Sequence, residues 1–187
     1  MRRKDETKKQ RIIDCLLKIV KDEGIHTFSI EKLAKAADVS AGTPYVYFRD
    51  KQDMISKIYE DIINNAIEGL EEKIAKKNTF EEKLLLVCDQ YNKFNIENPY
   101  ESTFVYIVET NNLLENRNHT LISSPVKKLL EEAIDVDVVK IKDVSKLYSI
   151  LFAPRRLIIK DSVVYDKPID KEKLEFVSKQ SVKTILK

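Results

Sequence analysis

Apolar residues at three- and four-residue spacings run through most of this 187-residue chain, and only three glycines interrupt them. That pattern lays one apolar stripe along each helix and leaves little material for hairpin turns. From Lys8 to Glu23 the stripe is Ile12, Ile13, Leu16, Leu17, Ile19 and Val20, and Gly24 is placed to end the helix. Ser29 can cap a second helix whose narrow inner face is Ile30, Leu33, Ala34 and Ala37. A short third helix is expected over residues 41–48 after the capping residue Ser40. Asp50 then caps a long fourth helix expected to continue to about Lys77.

Further along, Thr79 and Glu82 have capping-box spacing, and Pro99 and Pro125 suit first helical turns. The polar run "NNLLENRNHTLISS" between them reads as a loop. A long apolar segment from about Val144 to Val164 is expected to break at Pro154, and a last helix to cover residues 171–186. The fold class is therefore all-α.

Composition narrows the class of protein. Hydrophobic residues make up 43% and charged residues 34%, as in a folded soluble chain. No apolar run approaches the ~18 residues of a membrane span, so no membrane partner and a cytoplasmic location are expected. Cys15 and Cys88 fall in apolar helical patterns and read as buried, reduced thiols. His26 and His119 have no metal-ligand spacing to cysteine or acid, and no phosphate-cradling loop or nucleophile elbow occurs. No catalytic residue, metal or cofactor is expected. Residues 1–60 carry 13 Lys and Arg against 10 Asp and Glu, and the remainder 20 against 21. The basic excess includes Arg2, Arg3, Lys4, Lys8, Lys9 and Arg11, which suits contact with a polyanion.

The stretch "ADVSAGTPYVYFRDKQDM", residues 37–54, explains that excess. Two short helices joined by a tight turn, the second with small and polar outward side chains, make a helix-turn-helix. Ala41, Gly42 and Thr43 are small enough to approach a duplex, and Pro44 is tolerated near a helix start. Phe48 is expected to pack inward while Tyr45 and Tyr47 flank the helix. Their hydroxyls, with Thr27, Ser29, Ser40 and the Lys51 ammonium, suit phosphate oxygens.

The longer run "FSIEKLAKAADVSAGTPYVYFRDKQDMI" resembles the DNA-binding signature of TetR-family transcriptional regulators. It carries the Leu-Ala pair, the Val-Ser turn, Gly-Thr, Tyr-x-Tyr-Phe and a Lys followed by an apolar residue. Two positions depart from the family: Asp38 stands where glycine is common in the turn, and Pro44 replaces an aliphatic residue. Aspartate enters the left-handed region at modest cost, so the turn survives. The resemblance implies a DNA-binding domain over residues 1–50 and a helical effector-binding and dimerisation domain over residues 51–187.

It also implies a homodimeric repressor released from a palindromic operator by a small-molecule effector. The dimer surface would use Leu147, Ile150, Leu151, Pro154, Leu157 and Ile158 on one helix, and Leu174, Val177 and Ile185 on the last. Those stripes could equally fill the monomer core. The effector pocket would draw on Tyr91, Phe94, Phe104, Tyr148 and Phe152. Arg155 and Arg156 would either favour an anionic ligand or be surface charges. A DNA-binding adaptor that recruits a protein partner through its helical body is the alternative reading.

Overall fold

The computed structural model describes residues 5–114 and 123–187. The basic residues Arg2, Arg3 and Lys4, His119 and most of the expected polar loop lie outside them. Ten helices occur among the described residues: α1 (Glu6–Glu23), α2 (Ile30–Ala36), α3 (Pro44–Tyr47), α4 (Lys51–Ala66), α5 (Leu70–Ala75), α6 (Phe80–Glu97), α7 (Pro99–Thr110), α8 (Ser124–Asp135), α9 (Val144–Tyr165) and α10 (Lys171–Ile185). Extended pairing among these residues is limited to one isolated antiparallel bridge, Val139 to Leu186.

Most helix starts have a side chain that satisfies amides left over by the helix itself. Asp5 Oδ1 accepts the N–H of Thr7 at 3.1 Å, and Ser29 Oγ that of Lys32 at 3.1 Å. Asp50 accepts from the Asp53 amide at 2.8 Å while the Asp53 carboxylate accepts from Arg49, also at 2.8 Å. Thr79 and Glu82 form the same reciprocal box at the start of α6. Asp143 and Asp170 cap α9 and α10.

Two expectations about helix length are corrected. The fourth helix stops at Ala66, and α5 begins again at Leu70. Gly69 sits between them at φ 66, a left-handed conformation that no helix interior accommodates. Conversely, α9 does not break at Pro154 but passes through it. Proline in a helix interior costs about 3 kcal/mol. Burial of Leu147, Leu151 and Phe152 before it and Arg155, Ile158 and Ile159 after it holds the helix on course.

The chain divides into two compact units, Met1–Ile62 with Asn98–Asn118, and Ile63–Glu97 with His119–Lys187. In the first, α1 packs on α2, α3 and α7. Ile12, Leu16, Leu33, Met54, Phe104 and Val108 are wholly buried. Tyr59 donates its hydroxyl hydrogen to Glu109 Oε1 at 2.9 Å. In the second unit, α10 packs on α6 and α9, and α8 adds a further layer. Its core holds Leu70, Leu84, Val87, Cys88, Leu130, Val139, Leu147, Leu151, Phe152 and Ile185. Truncating one of these, Leu130→Ala, leaves a cavity the helices cannot close. Urea unfolding should show a loss of about 2–5 kcal/mol.

Candidate nucleic-acid interface

The turn between α2 and α3 is set by Asp38. Its φ of 52 is left-handed, and the amides of Asp38 and Val39 reach back to the carbonyls of Lys35 (3.3 Å) and Ala34 (3.0 Å). These two bonds close α2 in a Schellman arrangement. The aspartate at this position therefore supports the turn.

The third helix is shorter than residues 41–48. Proline has no N–H, so Pro44 cannot donate to the carbonyl of Ser40, and the first bond of an α-helix capped at Ser40 is missing. Thr43 N–H takes that carbonyl instead at 2.8 Å, making a tight turn over Ala41 and Gly42. Only then does α3 run for four residues from Pro44. Ser40 does not cap it: its hydroxyl lies 2.7 Å from that of Thr43. Pro44 and Phe48 are buried, and Phe48 is extended, which ends the helix. Before Pro44 and between the two anchors the chain faces outward. Ser40, Ala41 and Gly42 are exposed, Tyr45 is 54% exposed and Val46 is 49% exposed. Val46 was missed in the sequence reading; the Tyr-x-Tyr spacing, with Phe48 turned inward, points the middle residue out.

Gly42 has no packing reason to be glycine, because a Cβ added there meets nothing within 4 Å. A small exposed residue in open space leaves room for a second molecule's backbone to come close.

The remaining candidates hold the frame as much as they face outward. Tyr47, half-buried, donates its hydroxyl hydrogen to the Asp5 carbonyl at 2.8 Å and accepts the Asp5 N–H at 3.2 Å. It thus pins the start of α1 to α3. Thr27 Oγ1 donates to the Gly24 carbonyl at 2.8 Å, and Ser29 caps α2. Lys51 Nζ donates to the Phe28 carbonyl at 3.0 Å and lies 4.2 Å from the Phe28 ring centre. An ammonium has three donors, so this anchoring uses only one of them.

Residues 12–58 match the model of the bacterial regulatory proteins of the tetR family. Over these residues the chain is similar to the DNA-binding domain of that family. The fatty acid metabolism regulator protein of Bacillus subtilis is 36% identical over 84 residues, which are 45% of this chain and 43% of that protein. The regulator AcrR of Shigella flexneri is 38% identical over 52 residues, 28% of this chain and 24% of that one. The chain thus spans less than half the length of these curated relatives. Among solved structures, a TetR family transcription regulator from Marinobacter aquaeolei superposes with a TM-score of 0.81 at 17% identity, covering 100% of this chain and 99% of that one. FadR from Bacillus subtilis in complex with stearoyl-CoA superposes at 0.68 with 26% identity, covering 94% and 96%. The all-helical fold of TetR regulators therefore extends over the whole chain.

The residues expected in the helical body separate into groups. Tyr91, Phe152 and Tyr148 come together, with ring centres 5.1 Å (Tyr91–Phe152) and 4.5 Å (Tyr148–Phe152) apart. Phe94 is half-buried on α6, and Phe104 lies in the other compact unit. Of the dimer stripe, Leu147, Leu151, Ile158, Leu174 and Ile185 are buried in the chain itself. Leu157 is 64% exposed, and Ile150, Pro154 and Val177 line an open groove of about 510 Å³ with Ser149, Ala153, Gln180, Ser181 and Thr184. No helix among the described residues is long and apolar enough to cross a membrane, and no group of metal-ligating side chains forms among them.

Tyr47→Phe should leave the Asp5 N–H without its partner and take one hydrogen bond from the Asp5 carbonyl, which still accepts from Lys8 and Lys9. Hydrogen exchange at the first amides of α1 should accelerate, with a stability loss of about 0.5–1.5 kcal/mol.

Proposed function

We propose that the chain is a sequence-specific DNA-binding transcriptional regulator, a homodimeric repressor released from a palindromic operator by a small-molecule effector. The observation that carries the DNA-binding part is the exposure of Ser40, Ala41, Gly42, Tyr45 and Val46 around the buried Pro44 and Phe48, with open space at Gly42. In this reading Gly42 and Thr43 approach the sugar-phosphate backbone and base edges, and Tyr45 reaches phosphate. Val46 meets thymine methyl groups in the major groove. Lys51 adds a charge to phosphate while held by Phe28. The chain's role is binding and not catalysis.

One such element reads too few base pairs to specify a site, so two copies are needed. The groove between α9 and α10, with exposed Leu157 and Phe176 on the same helices, supports pairing of two chains there. The buried part of the stripe serves the monomer core. The Tyr91–Phe152–Tyr148 cluster supports an effector pocket in the second unit. The stearoyl-CoA bound by the Bacillus subtilis neighbour makes acyl thioesters the first compounds to try in an operator-release assay.

Selecting DNA fragments from a random pool with the purified chain should return one short palindrome, bound more weakly as salt rises. Recovery of unrelated sequences with equal affinity would refute sequence-specific binding. Gly42→Ala should leave unfolding unchanged or slightly improved, because the added methyl meets no protein atom, yet weaken binding to the selected palindrome by tenfold or more. Leu157→Glu should keep the helical fold and shift the chain to monomer in analytical ultracentrifugation, since the side chain is already mostly exposed in one copy.

A further inference from the structure

The second unit buries a positive charge that the protein itself does not neutralise. Arg155 on α9 is 0% exposed. Its Nε donates to Ser178 Oγ on α10 at 3.1 Å. Ser178 Oγ also accepts from Asn92 Nδ2 on α6 at 3.0 Å and donates to the Leu174 carbonyl at 2.8 Å. With one donor and two lone pairs in use, that hydroxyl is saturated and fixes one edge of the guanidinium. The other edge, Nη1 and Nη2, makes no hydrogen bond of good geometry among the described residues and has only the weakly accepting Cys88 sulfur beside it, while Asn92 Oδ1 has no donor.

The groups around it do not supply a counter-charge in contact. Burial pushes the neighbouring Cys88 thiol up to about 11, so it is neutral at physiological pH. Asp89 acts on Arg155 through space but takes no hydrogen bond from either Nη group. Its carboxyl is itself held above the ordinary carboxylate range by burial and by Glu175. Arginine keeps its proton in proteins. An isolated buried ion is costly by several kcal/mol, and that cost is relieved by any anion that reaches it.

We infer that Arg155 anchors an internal binding site for the carboxylate of an organic acid, built where α6, α9 and α10 meet. Two parallel N–H groups on a planar fork match two carboxylate oxygens. A single negative charge cancels a single positive one, whereas a phosphate dianion would leave a buried excess. The body of the acid is apolar. The Phe152 ring centre lies 5.7 Å from the guanidinium carbon, and the half-buried Tyr91 and Tyr148 pack edge-on and tilted against that ring. Pro154 immediately precedes Arg155, so the Ile150 carbonyl lacks its helical donor, and α9 yields most readily beside the site. The site would be that of the effector only if the regulator reading holds; binding of the acid does not depend on it.

The test is calorimetric titration of the full chain with octanoate, 4-phenylbutanoate, their two amides and inorganic phosphate. The acids should bind, each amide should bind at least tenfold more weakly, and phosphate should not compete. Arg155→Met should abolish acid binding while keeping its melting temperature, because it removes an uncompensated charge and fills the same space. Ser178→Ala keeps the charge but releases the Nε edge, and should weaken acid binding threefold or more; it serves if the methionine variant fails to fold. Acids and amides that bind alike, acids that do not bind, a response to phosphate alone, or Ser178→Ala indistinguishable from the original chain would each overturn the site. Operator binding by the acid-free protein is measured separately, and its loss would sink the regulator reading without touching this one.

Discussion

The recognition element depends on two buried side chains four residues apart, Pro44 and Phe48, which hold a short turn against the first helical unit. Pro44 does this partly by what it lacks. Without an amide hydrogen it leaves the Ser40 carbonyl to Thr43, so the chain makes a tight turn before it makes a helix. That places Ala41 and Gly42 at an exposed corner. The hydroxyl of Tyr47 then ties the element to Asp5, the cap of α1, so the corner and the start of α1 share one support. The proposed DNA-reading surface has to be both exposed and rigid, and here rigidity comes from packing underneath and not from the exposed residues.

Much of this was legible from the residues. Ser29, Asp50 and the Thr79–Glu82 pair announced helix starts because short oxygen-bearing side chains satisfy free amides at set spacings. Asp38 could be trusted in the turn because aspartate tolerates positive φ. The shortness of α3 was also written in Pro44, through the bond it cannot make. Gly69 was harder: a glycine within a helical pattern is often tolerated, and only its left-handed backbone reveals the break. Pro154 misled in the opposite direction, since burial on both sides outweighs its cost.

The stripe on α9 shows why apolar spacing alone does not separate a core from a contact surface. Leu147, Leu151 and Ile158 recur at steps of four and seven residues, and Ile150, Pro154 and Leu157 at steps of four and three. The two series are one residue out of phase and lie on adjacent faces; the first is buried and the second borders an open groove or solvent. Arg155 falls in phase with Leu151 and Ile158, which is the signal that could have marked it as buried while its neighbour Arg156 is only partly so. A charge in the buried phase of a helix demands a partner, and that demand links the fold of the second unit to ligand chemistry.

The account as a whole rests on two copies of the exposed corner meeting one face of a duplex. Hydroxyl-radical footprinting of the selected DNA tests this directly. Two protected stretches on the same face, centred roughly one helical turn (34–36 Å) or a whole multiple of it apart, are the predicted result. A single protected patch, or protection spread evenly without regard to sequence, would contradict it.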